Sequence, residues 1–165
     1  MRTIKFKGKS IDSSEWIEGY YYEECDIYTY IIKDRQKKYM LNGNESVLVH
    51  PDTVCQFTGF LDKNGKEIYE GDVLRSDEYP YSCIGDKERD NYYAVVYYCE
   101  EGACFGTVTV KNPNSSVAGI SDGILDDVER EKMKNFEVVG NINEEMWKQY
   151  GEYFKTEEEK EADND

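Results

Sequence analysis

The chain has 165 residues, which is enough for one domain or for one domain with a small appendage. It carries 20 basic and 35 acidic residues, and its formal charge of −15 disfavours binding to nucleic acid or anionic lipid, which depends on basic residues that neutralise phosphates. Hydrophobic residues make up 39% and aromatic residues 14%, which argues against disorder of the whole chain, and no stretch reaches the roughly 18 apolar residues of a membrane span.

The cysteines number five, an odd count, and none form a C-x-x-C pair; they are Cys25, Cys55, Cys83, Cys99 and Cys104. This pattern differs from that of a secreted disulfide framework or a zinc ribbon, so we expect a soluble cytoplasmic protein with reduced thiols. The segment C-E-E-G-A-C predicts a hairpin turn with Cys99 and Cys104 facing each other. We interpret them as two half-buried thiols that flank a turn, because a zinc site would lack its other ligands; a redox pair is the alternative.

The first part of the chain alternates apolar and polar residues with period 2, as expected for strands. Such segments are residues 3–6, 16–22 and 28–33, and residues 36–41 add a further strand before the turn signal Asn42-Gly43 and a returning strand at 46–49. We therefore predict an N-terminal antiparallel meander over residues 1–53.

The central part continues with strand signals separated by turns. An apolar run at 54–60 is followed by the turn D-K-N-G-K and by E-I-Y-E-G-D-V-L-R, in which Gly71 predicts a bend. Residues 76–91 form a candidate loop, residues 92–98 and 104–110 predict a hairpin, and residues 112–123 lack a regular period.

Helical signals come late in the sequence. Asp126 or Asp127 can cap a short helix that ends at Met133, and Asn143 can cap a helix over 144–154 with a stripe of Met146, Trp147, Tyr150 and Phe154 packed on a sheet. Residues 136–142 between them predict a closing strand. The predicted fold is α+β and mostly antiparallel. Residues 54–155 are expected to form a small SH3-like barrel with a C-terminal helix, and this region and the meander over 1–53 to make one compact unit. Residues 156–165 are expected to form a disordered acidic tail.

Two segments carry a resemblance to a known family. Q-F-T-G-F-L-D-K-N-G-K-E-I-Y-E-G-D-V-L at 56–74 and F-E-V-V-G-N-I-N-E at 136–144 resemble the YopX family of phage and prophage proteins. I-K-F-K-G-K-S at 4–10 and W-I-E-G-Y at 16–20 extend the resemblance to roughly residues 1–145. It implies a small protein of bacterial viruses, or of bacteria that carry them, in the host cytoplasm. It implies no reaction or catalytic residue, and it suggests homo-oligomers.

The central block also holds carboxylates that could bind a hard cation, and Glu70 and Asp72 are the candidate ligands because strand spacing can place them on one face. The block fails the calcium-loop pattern, since Gly65 is at the fourth position of a loop that starts at Asp62, whereas a calcium loop needs glycine at the sixth. We therefore favour a structural role and predict no metal or cofactor. His50, the only histidine, is expected to have a capping or half-buried role before Pro51, so no catalytic site is predicted and enzymatic activity stays open.

The 15 tyrosines are the strongest remaining signal, because adjacent tyrosines on a strand must point to opposite faces. Tyr20, Tyr22, Tyr93 and Tyr97 are the candidate contact residues, since tyrosine gives a large contact area with little entropy loss. Our leading hypothesis is a non-enzymatic accessory protein that acts by protein contact, above all self-association. The alternatives are a small-ligand or metal-dependent activity at the central carboxylates and an acidic DNA mimic that binds a host protein.

Overall fold

The computed structural model describes residues 3–25, 28–33, 46–76, 92–111, 120–124 and 134–154. These residues form antiparallel strands in two sheets. The strands are β1 (Phe6–Lys9), β2 (Trp16–Glu24), β3 (Tyr28–Ile32), β4 (Ser46–Leu48), β5 (Cys55–Leu61), β6 (Glu67–Tyr69), β7 (Asp72–Ser76), β8 (Tyr92–Cys99), β9 (Cys104–Lys111), β10 (Ile120–Ile124) and β11 (Glu137–Asn141). Two 3-10 segments cover Pro51–Thr53 and Lys148–Phe154. Within the described residues, no helix is long and apolar enough to cross a membrane.

The first of two compact units comprises Met1–Phe60 and Glu67–Tyr69. It holds a six-stranded sheet with the order β4-β3-β2-β1-β5-β6. Ile31, Val49 and Ile68 are fully buried in it. Gly19 allows β2 to approach β3 closely, because a Cβ at this position would lie 2.2 Å from the carbonyl oxygen of Ile32.

The second unit comprises Leu61–Lys66 and Glu70–Asp165. Its five-stranded sheet has the order β10-β9-β8-β7-β11, so the closing strand β11 returns to pair with β7. The core of the sheet is a cluster of buried valines, which are Val73, Val95, Val108 and Val110. Trp147 and Tyr150 pack against this valine cluster from the segment after β11.

The predicted α+β class is wrong, because the described residues are almost entirely antiparallel β and contain no C-terminal helix closing an SH3-like barrel. Instead, the segment after β11 advances by turns: the N–H groups of Glu144, Trp147 and Tyr150 each donate to a carbonyl oxygen three residues earlier. Bonds of this spacing belong to turns and 3-10 helix, in which residues three apart share a face. The three-residue spacing of Trp147 and Tyr150 therefore fits a series of turns as well as it fits an α-helix. Gly151 disfavours the α-helix.

Other sequence predictions have clearer outcomes. The strands predicted at 16–22, 28–33 and 46–49, in the central block and at 136–142 are confirmed, as is the hairpin of β8 and β9. The strand predicted at 3–6 is wrong in its position, because β1 begins at Phe6 and continues to Lys9. The irregular stretch over 112–123 is wrong for its last residues, because β10 begins at Ile120 and pairs antiparallel with β9. The predicted strand at 36–41, the Asn42-Gly43 turn, the loop beyond Ser76, the helix that ends at Met133 and the tail over 156–165 lie outside the described residues.

Candidate functional site

The Asp62 carboxylate organises the turn in the central block. One oxygen, Oδ1, accepts hydrogen bonds from the backbone N–H groups of Asn64 at 2.7 Å and Lys66 at 2.9 Å. The other, Oδ2, accepts one from the backbone N–H of Val138 on β11 at 3.0 Å. Asp62 is only 4% exposed, and its bonds to backbone donors satisfy both oxygens. This side chain therefore joins the two sequence segments that carry the family resemblance.

Asn141 makes a second connection between the same segments. Its Nδ2 donates to the carbonyl oxygen of Glu70 at 3.1 Å and to Oδ1 of Asp72 at 2.9 Å. Its Oδ1 accepts the N–H of Asn143 at 3.0 Å. The sequence reasoning missed Asn141, for which the one available signal was a polar residue at the end of an apolar strand.

The two candidate metal ligands lie in different surroundings. Asp72 is fully buried on β7 with its carboxylate bonded to Asn141, and Glu70 is half-buried in the turn before that strand. Among the described residues, no group of three or more histidine, cysteine, aspartate or glutamate side chains is placed to hold a metal ion. The observed geometry gives the Asp72 carboxylate and the backbone carbonyl of Glu70 a role in the fold.

Two acids on the strands, one in each unit, form ion pairs that shift their pKa. Glu137 on β11 lies 2.8 Å from Lys63 Nζ and 2.8 Å from Arg75 Nη2, and the hydrogen bonds from these groups lower the pKa of Glu137. In the first unit, burial acts to raise the pKa of Glu67, but the hydrogen bonds from Lys5 and Tyr69 and the charge of Lys5 together outweigh it and hold the pKa below its ordinary value. These carboxylates stay ionised at neutral pH and are held by cations of the same unit.

His50 is exposed at the start of the Pro51–Thr53 segment, and its carbonyl oxygen accepts hydrogen bonds from Thr53 N–H and Oγ1. Its side chain makes no capping hydrogen bond, so the capping contribution comes from the backbone. The nearby Cys55 is buried, and its thiol donates to the carbonyl oxygen of Thr53 at 3.3 Å. These bonds hold the chain between β4 and β5 through the backbone of His50. The expected capping or half-buried role of its side chain is wrong, because that side chain is exposed and makes no capping hydrogen bond.

A lysine lies between aromatic rings in the first unit. Lys7 is 8% exposed, and its Nζ lies 4.7 Å from the ring centroid of Trp16 and 4.9 Å from that of Tyr69. Lys9 lies 5.4 Å from the Trp16 ring. Cation–π attraction explains how an acidic protein buries a lysine here. The sequence signal for this buried lysine was the spacing of two residues between Lys7 and Lys9, which places both on one face of β1.

The tyrosines of the first unit form a continuous aromatic surface on β2 and β3. The ring centroids of Tyr22 and Tyr30 are 6.4 Å apart, as are those of Tyr28 and Tyr30. We call Tyr22, Tyr28 and Tyr30 the tyrosine row. Tyr28 is 48% exposed, whereas Tyr22 and Tyr30 are half-buried. Tyr20, also half-buried, is two residues from Tyr22 and shares its face of the strand.

The candidate tyrosines of the second unit have different surroundings. Tyr93 and Tyr97 are half-buried and pack against the valine cluster, and the Tyr93 ring lies 5.7 Å from that of Trp147. Tyr98 is the exposed neighbour, at 41%, and its ring meets Phe105 edge-on at 5.3 Å. Adjacent tyrosines of β8 therefore differ in burial, and the two candidates contribute mainly to the core.

Known proteins similar to this chain include one with a solved structure. A crystal structure of protein EF1440 from Enterococcus faecalis is similar, with 18% identity and a TM-score of 0.46, over 89% of this chain and 99% of that chain. No curated protein matches the sequence. The family model described as YopX protein matches residues 2–146, which include both segments joined by Asp62 and Asn141. The chain belongs to the YopX family.

Proposed function

We propose that this chain is a non-enzymatic phage or prophage accessory protein of the bacterial cytoplasm that acts by protein contact. Its contact surface is the tyrosine row, and its partner is a second copy of the same chain. The observation that supports this proposal is the run of three tyrosine rings across β2 and β3, with Tyr28 48% exposed.

The physical character of the tyrosine row suits a contact between proteins. Tyrosine side chains bury a large area and lose few rotamers on binding, and their hydroxyl groups can exchange water for partner groups. The row continues towards β4, because Leu48 lies directly opposite Tyr30 and is half-buried. An aromatic surface of this kind provides the apolar centre that a stable interface requires.

The net charge of the chain limits where two copies can touch and determines how their association responds to salt. Two copies with a formal charge of −15 each repel one another, so a contact between them requires a surface rich in uncharged side chains. The tyrosine row is such a surface, with Glu24 opposite Tyr28 at its border. Added salt screens the repulsion between copies, and we therefore expect self-association to strengthen with ionic strength. Binding of an acidic mimic to a basic host protein would weaken instead.

Sedimentation equilibrium of the full chain, over a range of concentrations and at low and high salt, tests the proposal. We expect the natural chain to associate more strongly at high salt, and Tyr28→Ser to remain monomeric in the same range. Tyr98→Ser is the matched control, because Tyr98 is 41% exposed but belongs to the second unit, and it should associate like the natural chain.

Two results would overturn the proposal. One is a monomeric natural chain at every concentration and salt. The other is association of Tyr28→Ser equal to that of Tyr98→Ser. A monomer that captures a basic DNA-binding protein only at low salt would instead support the mimic hypothesis, which rests on the net charge alone. Micromolar calcium or magnesium binding that Asp72→Asn abolishes would support the metal-dependent alternative.

A further inference from the structure

The turn of the β8–β9 hairpin places two cysteines side by side. Cys99 and Cys104 are directly opposite each other at the end of the hairpin, and both are half-buried. Directly opposed residues of an antiparallel pair have Cα atoms roughly 4.5–5.5 Å apart. This spacing lies within the range that a disulfide bridges without backbone movement.

Gly102 gives an independent measure of where the sulfur atoms lie. A Cβ at Gly102 would be 2.9 Å from Sγ of Cys104 and 3.6 Å from Sγ of Cys99, so both sulfurs lie close to one point on the same side of the turn. The turn is closed by a hydrogen bond from Ala103 N–H to the carbonyl oxygen of Glu100, with Ala103 at a φ of 49°. The chain therefore holds the two thiols together and leaves space for them.

We propose that Cys99 and Cys104 form a reversible dithiol–disulfide pair that low-molecular-weight disulfides oxidise. The thiolate of one cysteine attacks the small disulfide, forms a mixed disulfide and releases one small thiol. The thiolate of the second cysteine then attacks the protein sulfur of the mixed disulfide and releases the second small thiol. The protein loses two electrons and two protons, the small disulfide gains them, and the hairpin gains one S–S bond.

The surroundings of the pair slow its oxidation. Burial, together with the adjacent Cys99 thiol, raises the pKa of the Cys104 thiol above its ordinary value. Thiolate is the reactive form, so reaction at neutral pH is slow. A reducing cytoplasm keeps such pairs as dithiols. No third ligand that would make the pair a metal site is present among the described residues.

Mass spectrometry of the folded, full chain after incubation with glutathione disulfide tests this proposal. Trypsin releases residues 90–111, a peptide in which Cys99 and Cys104 are the only cysteines. After acid quenching and alkylation, we expect this peptide to lose the mass of two hydrogen atoms, to carry no glutathione and to take up no alkylating agent. Cys25→Ser is the matched control, because Cys25 is exposed and outside the hairpin, and it should give the same result.

Single variants distinguish an intramolecular disulfide from ordinary thiol modification. Cys99→Ser and Cys104→Ser should each retain glutathione on the remaining cysteine of the peptide, because no second thiol is available to release it. The proposal is overturned if the natural chain keeps glutathione on residues 90–111, or if the peptide stays fully reduced while exposed Cys25 is modified. It is also overturned if the disulfide forms only after the chain is unfolded in urea.

Discussion

Replacement of Asp62 by alanine should destabilise the second unit strongly, because one buried carboxylate accepts three backbone hydrogen bonds. The N–H groups of Asn64 and Lys66 belong to exposed residues and can bond to water, so their loss costs about 0.5–1 kcal/mol each. Val138 is 8% exposed, and its N–H would be left without an acceptor at a cost of about 1–3 kcal/mol. We therefore expect Asp62→Ala to lower the free energy of unfolding by about 2–5 kcal/mol.

The two tryptophans permit a clean assay, since Trp147 packs in the second unit and Trp16 in the first. Urea unfolding followed by fluorescence in a Trp16→Phe background therefore reports on Trp147 alone. The control is Asp52→Ala, which removes an exposed carboxylate and should change the free energy of unfolding by less than about 0.5 kcal/mol. A loss for Asp62→Ala no larger than that of the control would refute the role assigned to this carboxylate.

Two further substitutions test close packing and ion pairing. Gly19→Ala should cost about 3 kcal/mol or more, because its Cβ would lie 2.2 Å from the backbone oxygen of Ile32; urea unfolding without such a loss would contradict the close approach of β2 and β3. Glu137→Gln should lower the melting temperature at pH 7, and its difference from the natural chain should shrink as pH falls below 4.5, because hydrogen bonds from Lys63 and Arg75 lower the pKa of Glu137 from 4.5 and stabilise only its ionised form. The stabilisation is complete above the unfolded pKa and is lost as pH falls through the folded pKa, so a difference that persists unchanged at pH 3 would contradict this explanation.

The strands could be predicted from sequence because apolar and polar side chains alternate with a period of two along a half-buried strand. The hairpin ending at Cys99 and Cys104 was equally predictable, since an acidic residue followed by glycine between apolar runs is a local turn signal. The C-terminal helix was wrong for a physical reason: residues three apart share a face in turns as well as in helices. Trp147 and Tyr150 show this, because both pack against the valine cluster from a chain of turns.

The candidate site was less predictable because its interactions join distant parts of the sequence. Asp62 bonds to Val138 and Asn141 bonds to Asp72, and no local period reveals either pair. The tyrosines illustrate the same limit. Alternation along β8 indicates that neighbouring rings face opposite sides, but only the packing of the second unit shows that Tyr97 lies against the valine cluster.

Tyrosine nitration at low and high protein concentration tests the central claim, that the tyrosine row is the contact surface, most directly. The extent of modification at Tyr28 and at Tyr98 is read from peptides of the same sample, so each molecule carries its own reference. We predict that modification of Tyr28 falls as concentration rises, because a second copy covers it, while that of Tyr98 stays constant. Modification of Tyr28 that is independent of concentration, or that falls in parallel with Tyr98, would contradict the claim.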